Sequence, residues 1–400
     1  MKRSIVSIFT ALAVIGAACH AETIKAGKSG ALAFDEVLLP LIEDRRLPGY
    51  FLSIQQGGES KLERAQGFVD EKNKVSPTSN TIFEIGSMTE PLTATAIMVL
   101  VEEGKISLDD RLIDFLPEFK GLKVAPNGSY DVPLVELSQQ ITIDHLLNHS
   151  AGFSAVKRFS LRLSNVDKSY REKGLFRNNA ELRDLKSNIA LLASIPLIFQ
   201  PGEAKTDSVS YDVLARIIEV VTKQSFDSFL TTNVLVPLGM LDTHFVVPTD
   251  KQSRRAAMHE PVVWGYNVPG KPKMYRQSII SQTAKAQSNI ARGRTGIKST
   301  ANDYLKFLGF LLGEEDLPRL SMSSASRLEL IAKIKGLEIE PNNTQKHAAH
   351  LTGQGRFNTA FWLDTQTRAS GVFMTQINPA QFDLAPTLLN ITAETFKNDS

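Results

Sequence analysis

The chain has 400 residues, of which 42% are hydrophobic, and a formal net charge of +2. That length can bury a sizeable core in one large domain or two lobes. The near-neutral charge excludes a global pull toward nucleic acid or acidic lipid. No stretch is low-complexity, which argues against disorder away from the ends.

The first 21 residues read as an export signal. Lys2 and Arg3 supply a basic start, "SIVSIFTALAVIGAA" an apolar run too short to span a bilayer comfortably, and "CHA" before Glu22 a small-residue cleavage site. A chain cut after Ala21 loses Cys19, its single cysteine, and with it any disulfide or cysteine metal site. Cys19 could instead become a lipidated N-terminus, but Gly16 stands where that signal needs a larger apolar residue. The reading taken is a secreted or periplasmic protein. No other apolar run reaches membrane length.

Further along, "GYFLSIQQG" and "KLERAQGFVD" predict two strands joined by a turn through "GGES". Thr93 to Glu103 has helical period, with Gly104 as its stop. "ITIDHLLNHSAGF" predicts a short helix closed by Gly152, and "QPGE" at 200–203 a turn. Helices follow at Tyr211 to Val221, Ser225 to Leu235 and Asn302 to Leu312. The end returns to strands in "TAFWLD" and "SGVFMTQI", with a last helix near Ala385–Phe396. Strands at both ends and helices between them predict an α+β fold, its antiparallel sheet assembled from distant parts of the chain.

The segments "FEIGSMTEPLTATAIMVLVEEGKISLDDRLIDFLPEF", "ITIDHLLNHSAGF", "FQPGE", "YDVLARIIEVVTKQSFDSFLTTNVLVPLGMLDT", "STANDYLKFLGFLL" and "FWLDTQTRASGVFMTQ" resemble the serine β-lactamase-related family. That family includes class C β-lactamases, D-Ala-D-Ala carboxypeptidase-type penicillin-binding proteins and esterases. The likeness runs in order from about residue 34 to 395. With the leader of residues 1–21 set apart, it implies one folded unit over 22–400. Within that unit it implies an α/β lobe of about 30–86 and 290–400, and a helical lobe of about 87–289. A cleft between the lobes would hold a small-molecule or peptide ligand. No cofactor, nucleic acid or transmembrane segment is expected, and the chain is read as a monomer.

The resemblance also implies three active-site elements, and each departs from the family pattern here. The first, Ser-x-x-Lys, reads Ser87-Met88-Thr89-Glu90. Ser87 is the candidate nucleophile, and Glu90 stands where the family's lysine would help remove the serine proton. Glu90 brings the opposite charge. Ser-x-x-Glu is also the pattern of a capping box, in which the serine oxygen accepts from the Glu90 amide and the carboxylate reaches back. Both readings of Ser87 stay open, with a cap taken as its chief role. The second element, Tyr-x-Asn, reads Thr206-Asp207-Ser208, counting back from Tyr211. Thr206 lacks the phenol that would shuttle protons, while Ser208 could still hold a substrate amide. Lys205 next door is read as a solvated loop residue, with a charge-supplying role as the alternative.

The third element, Lys-Thr-Gly or His-x-Gly, is sought in "AHLTGQG", where His350, Thr352 and Gly353 are candidates for a substrate-binding strand edge. Arg294-Thr295-Gly296 has a similar look, but its place before "IKSTANDYLKFL" suits a turn leading to a capped helix, so it is set aside. His145 and His149, four apart, have a spacing that can bind metal. No third ligand accompanies them, so packing or capping is preferred and no metal is expected. The stretch from Lys157 to Lys186 is rich in Lys and Arg, and is read as a solvated helical insertion rather than an anion-binding surface. Two of the three elements have lost their proton-handling side chain, which points to a catalytically impaired homologue. The alternative is an active serine hydrolase, an esterase, β-lactamase or D-Ala peptidase, working through Ser87.

Overall fold

A computed structural model describes residues 30–155, 163–176, 184–262, 275–278, 291–314, 320, 322–335 and 350–396. The expected export signal, with Cys19, lies outside these residues, as do Lys157, Arg158, Arg162, Arg177, Glu181 and Arg183 of the basic stretch.

Helix α1 (Gly30–Glu43) precedes the hairpin of β1 (Gly49–Gln56) and β2 (Glu59–Gly67). The hairpin closes through Gly57 and Gly58, with φ of 59° and 79°. A two-residue turn of this hand needs positive φ at both positions, which glycine supplies without strain. Strand β3 (Phe83–Glu84) leads through a 3-10 turn, Gly86–Met88, into α2 (Thr89–Glu102). Every residue of α2 from Thr89 to Leu100 is buried, so it is a central helix packed on all sides.

Around it lie α3 (Leu112–Phe115), α4 (Ile143–Leu147), α5 (Asn165–Glu172), α6 (Leu185–Leu192), α7 (Ser210–Thr222) and α8 (Phe226–Leu230). Short strand pairs punctuate this region: β4 (Lys123–Val124) with β5 (Val135–Glu136), and β6 (His259–Pro261) with β7 (Tyr275–Gln277). Strand β8 (Lys298–Ser299) returns to pair with β3, and α9 (Ala301–Leu312) follows, its cap Thr300 accepting from the Asp303 amide at 3.1 Å. Helix α10 (Ser324–Lys335), strands β9 (His350–Gln354), β10 (Ala360–Asp364) and β11 (Ala369–Met374), and helix α11 (Ala385–Thr395) complete the chain.

The main sheet has the order β2-β1-β11-β10-β9, every pair antiparallel. The β1–β11 pairing, with Phe51 opposite Met374, joins the two ends of the chain into one sheet. Side chains alternate between its faces. Tyr50, Leu52, Ile54, Trp362 and Phe373 meet Phe34 and Leu38 of α1 and Leu388 of α11. Phe51, Phe361, Leu363, Val372 and Met374 belong instead to the core that includes α2, α7 and α9. The antiparallel α+β layout expected from the sequence is the one found, with α1 as an element that the periodicity did not predict.

Candidate active site

Strand β3 delivers the chain to Ser87. Ile85 is fixed by its amide, which donates to the Ile297 carbonyl at 3.1 Å. Gly86 then turns with φ of 56° against the β9–β10 connection, so closely that a methyl group there would lie 2.9 Å from the Arg356 amide nitrogen. This is a position only glycine fills easily. Ser87 follows, partly exposed, in the 3-10 turn ahead of α2. Tyr304 of α9 secures that turn by donating its hydroxyl to the Met88 carbonyl at 3.0 Å.

The capping box does not form. The residue at the α2 cap position is Met88, in right-handed helical conformation, and no side chain caps the helix. The 3-10 turn runs directly into α2: the Thr89 amide is already bonded to the Gly86 and Ser87 carbonyls. Ser87 is thus inside a helical run rather than at an extended cap, and its hydroxyl has no hydrogen-bond partner among the described residues.

Glu90 turns inward instead. Its Oε1 is 3.5 Å from Nε of Arg294 and its Oε2 is 3.4 Å from Nε2 of His149. All three belong to different stretches of chain. His149 lies just past the end of α4 in left-handed conformation, φ 55°, buried, with its ring 5.0 Å from that of Tyr211. Its Nδ1 is 3.2 Å from Oγ of Ser208, and Ser208 in turn is 2.8 Å from Oγ of Ser210 at the start of α7. Burial, followed by the nearby Glu90 charge, pushes the Tyr211 and Tyr304 hydroxyls well above their ordinary range. Both phenols stay protonated: Tyr211 donates to the Leu147 carbonyl at 3.0 Å and Tyr304 to Met88.

Arg294, on a segment that the sequence reads as a turn, is a cation of the cluster. Its segment does form a turn before β8, but the guanidinium lies across the site. It pairs with Glu90 on one side and Asp207 on the other, while its amide donates to Asp212 at 3.3 Å. Burial would weaken its proton affinity, but Asp207, Glu90 and Asp212 together raise it. Gly293 holds the segment against α7, since a methyl group there would lie 1.8 Å from the Tyr211 carbonyl oxygen. Thr93 of α2 donates to the Gly293 carbonyl at 2.7 Å.

Thr206 stands on the same loop, its amide donating to the His149 carbonyl at 3.2 Å. Its hydroxyl reaches the Asp207 carbonyl, at 3.5 Å, and no site side chain. Lys205 beside it is exposed. The third element lies on β9, and β9 packs against the Ser87 turn. His350 begins β9, its Nε2 3.5 Å from Asp364 at the far end of β10. Thr352 lies opposite Trp362, and Gly353 opposite Phe361. Gly355 and Arg356, just past the end of β9, also come close to the turn; a methyl group on Gly355 would lie 2.3 Å from the Ile85 carbonyl oxygen. At about 3.4 Å per strand residue, His350 is roughly 17 Å away along the strand. His145 does not join His149: it closes a capping box with Thr142, whose amide donates to its Nδ1 at 3.2 Å. Among the described residues no cluster of three or more His, Cys, Asp or Glu side chains could hold a metal. Among them, too, no helix is long and apolar enough to cross a membrane.

A helix-start serine beside an antiparallel sheet built from both chain ends defines a class, and the β-lactamase family model matches residues 34–394, so the chain belongs to the β-lactamase family. Among its relatives, Esterase EstB of Burkholderia gladioli is 33% identical over 218 residues, which is 54% of this chain and 52% of that protein. Protein Rv1367c of Mycobacterium tuberculosis is 28% identical over 291 residues, 72% of this chain and 68% of its own. Among solved structures, EstCE1, a hydrolase with promiscuous acyltransferase activity, superposes with a TM-score of 0.73 at 20% identity, over 92% of this chain and 98% of that one. A class C β-lactamase gives 0.62 at 16%, over 93% and 96%. At these identities the structural likenesses establish the fold.

Proposed function

We propose that this chain is an exported, monomeric member of the family whose cleft binds an acyl or peptide ligand while Ser87 has lost the means to turn it over. The basic start, apolar run and small-residue end of residues 1–21 support export, and membership of the family supports the ligand class. One observation carries the loss of turnover: the side chain in the family's lysine position is a carboxylate held between Arg294 and His149. A serine hydroxyl is a weak nucleophile without an adjacent base. Among the described residues none stands within hydrogen-bond reach of Ser87, and Thr206 offers no phenol in place of the family tyrosine. Losing a general acid or base lowers rates by on the order of 10²–10⁴.

A second reading, a serine hydrolase acting on an ester, β-lactam or D-Ala peptide through Ser87, is favoured by that residue's partial exposure at the start of α2. The names of the relatives EstB and EstCE1 point the same way. Intact-mass spectrometry separates the two. The mature protein is incubated with a penicillin and with a phosphonate ester, and adducts are mapped to peptides. No adduct on the Ser87 peptide is the expected result. An adduct there that vanishes in Ser87→Ala would establish the second reading.

A further inference from the structure

Around Glu90, one helical turn past Ser87, the fold assembles a second serine with the partners that Ser87 lacks. Ser208, His149 and Glu90 come from the loop before α7, the end of α4 and the first turn of α2. They stand in hydrogen-bonded series: Ser208 Oγ to His149 Nδ1 at 3.2 Å, and His149 Nε2 to Glu90 Oε2 at 3.4 Å. A nucleophile within reach of a base, itself oriented by a carboxylate, is the arrangement that activates serine on unrelated folds. A carboxylate accepts, so in a neutral imidazole the proton sits on Nε2 toward Glu90, and Nδ1 keeps its lone pair for the Ser208 proton. On its other side Ser208 Oγ accepts from the Ser210 amide at 3.3 Å and lies 2.8 Å from the Ser210 hydroxyl. Both can stabilise negative charge on the oxygen. The non-glycine left-handed backbone at His149 is the kind of local strain that clusters at functional sites.

We propose that Ser208, with His149 as base and Glu90 as its orienting carboxylate, is an acyl-accepting centre for small, activated esters. Ser208 Oγ attacks the ester carbonyl carbon as its proton passes to His149 Nδ1. The carbon–oxygen bond to the alcohol breaks, and the departing oxygen takes that proton, leaving acyl-Ser208. Water repeats the sequence, releasing the carboxylic acid and restoring the serine. The limit to small acyl groups follows from burial: Ser208 is only 1% exposed. The segment directly before it is tied down by the Thr206 amide on the His149 carbonyl and by the Asp207–Arg294 ion pair. Acyl groups reach the serine only as that segment gives way, so an acetyl group enters where a penicillin does not. The inference concerns a different oxygen from Ser87 and does not rest on Ser87 being silent.

The test is to treat the folded protein with p-nitrophenyl acetate and with a small dialkyl fluorophosphate, quench in acid and map the modified peptide. The expected modification is on the peptide containing Ser208, kept in Ser87→Ala and lost in Ser208→Ala. In Glu90→Gln its rate falls by on the order of 10² or more, as losing the carboxylate behind a histidine base does elsewhere. Modification confined to the Ser87 peptide would overturn the proposal and, separately, the impaired reading of Ser87. No modification of wild type whose near-UV circular dichroism shows it folded would overturn the proposal alone. An unchanged rate in Glu90→Gln would break the series and overturn it as well. Mapping on wild type decides the site even where Ser208→Ala, which removes a buried hydrogen bond, fails to fold.

Discussion

Glu90 is one carboxylate with two neighbours of opposite kind, and the site's behaviour under mutation follows from that. The obvious repair of the first element is Glu90→Lys. In an empty pocket it would restore Ser-x-x-Lys, but the pocket already holds Arg294. The new ammonium would face a guanidinium and a histidine, with Asp207, itself half in solvent, as the nearest shared anion. Arg294 keeps Asp207, but the substitution both removes an anion from a largely buried contact and sets a like charge in its place, which costs about 3 kcal/mol. Glu90→Lys is therefore expected to lower stability by about 3 kcal/mol in urea unfolding followed by circular dichroism. Adding Arg294→Met, which removes the opposed charge but keeps the apolar stem volume, should recover most of that loss. If Glu90→Lys unfolds at the wild-type urea concentration, Arg294 is not the counter-ion of Glu90.

At the scale of elements, what positions the site is close backbone approach. Three glycines set it. Gly86 and Gly355 bring the Ser87 turn against the β9–β10 connection, and Gly293 brings the Arg294 segment onto α7. At Gly293 the conflict is with a backbone carbonyl, which cannot rotate away as a side-chain tip could. Gly293→Ala should push the 291–294 segment off α7, separating Arg292 and Arg294 from Asp212, which they reach at 3.2 and 3.3 Å. The expected outcome is a large drop in thermal midpoint, with faster proteolysis in this segment than elsewhere. A midpoint unchanged from wild type would mean the segment has another place to sit.

The strands β1, β2, β10 and β11 and the helices α2, α7, α9 and α11 were all legible in the sequence, because each carries a strong period bounded by a turn or cap. Helix α1 was not: Pro40 interrupts its helical pattern, and its burial is a property of the sheet face it covers rather than of its own residues. The site was legible where the chain is local, in Ser87-x-x-Glu90 and Thr206–Ser208. Arg294 and His149 escaped because each meets Glu90 across at least 59 positions of sequence, and spacing alone carries no sign of that. His350 was attractive as a residue type, but strand register decides which end of β9 faces Ser87, and register is set by pairing with β10.

At the scale of the whole molecule, the two faces of one sheet couple everything else. Its outer face carries α1 and α11, the two chain ends, and Gln56 of β1 donates to the Phe396 carbonyl at 3.1 Å. Its inner face shares a continuous core with α2, α7, α8 and α9, so among the described residues the helical region has no separate hydrophobic centre of its own. A helical lobe that owned its core would unfold apart from the sheet. A shared core instead ties helix loss to sheet loss, and unfolding should be cooperative. Trp362 reports on the sheet: it is fully buried on β10, and its Nε1 donates to Thr392 of α11 at 2.8 Å. The sequence has two tryptophans, Trp264 and Trp362. In a Trp264→Phe background, fluorescence therefore follows the sheet while far-ultraviolet circular dichroism at 222 nm follows chiefly the helices. The two urea transitions are expected to superimpose in midpoint and slope. Fluorescence that changes only after the helical signal is lost would mean that the helices melt first, and that the core running through α2 does not bind them to the sheet.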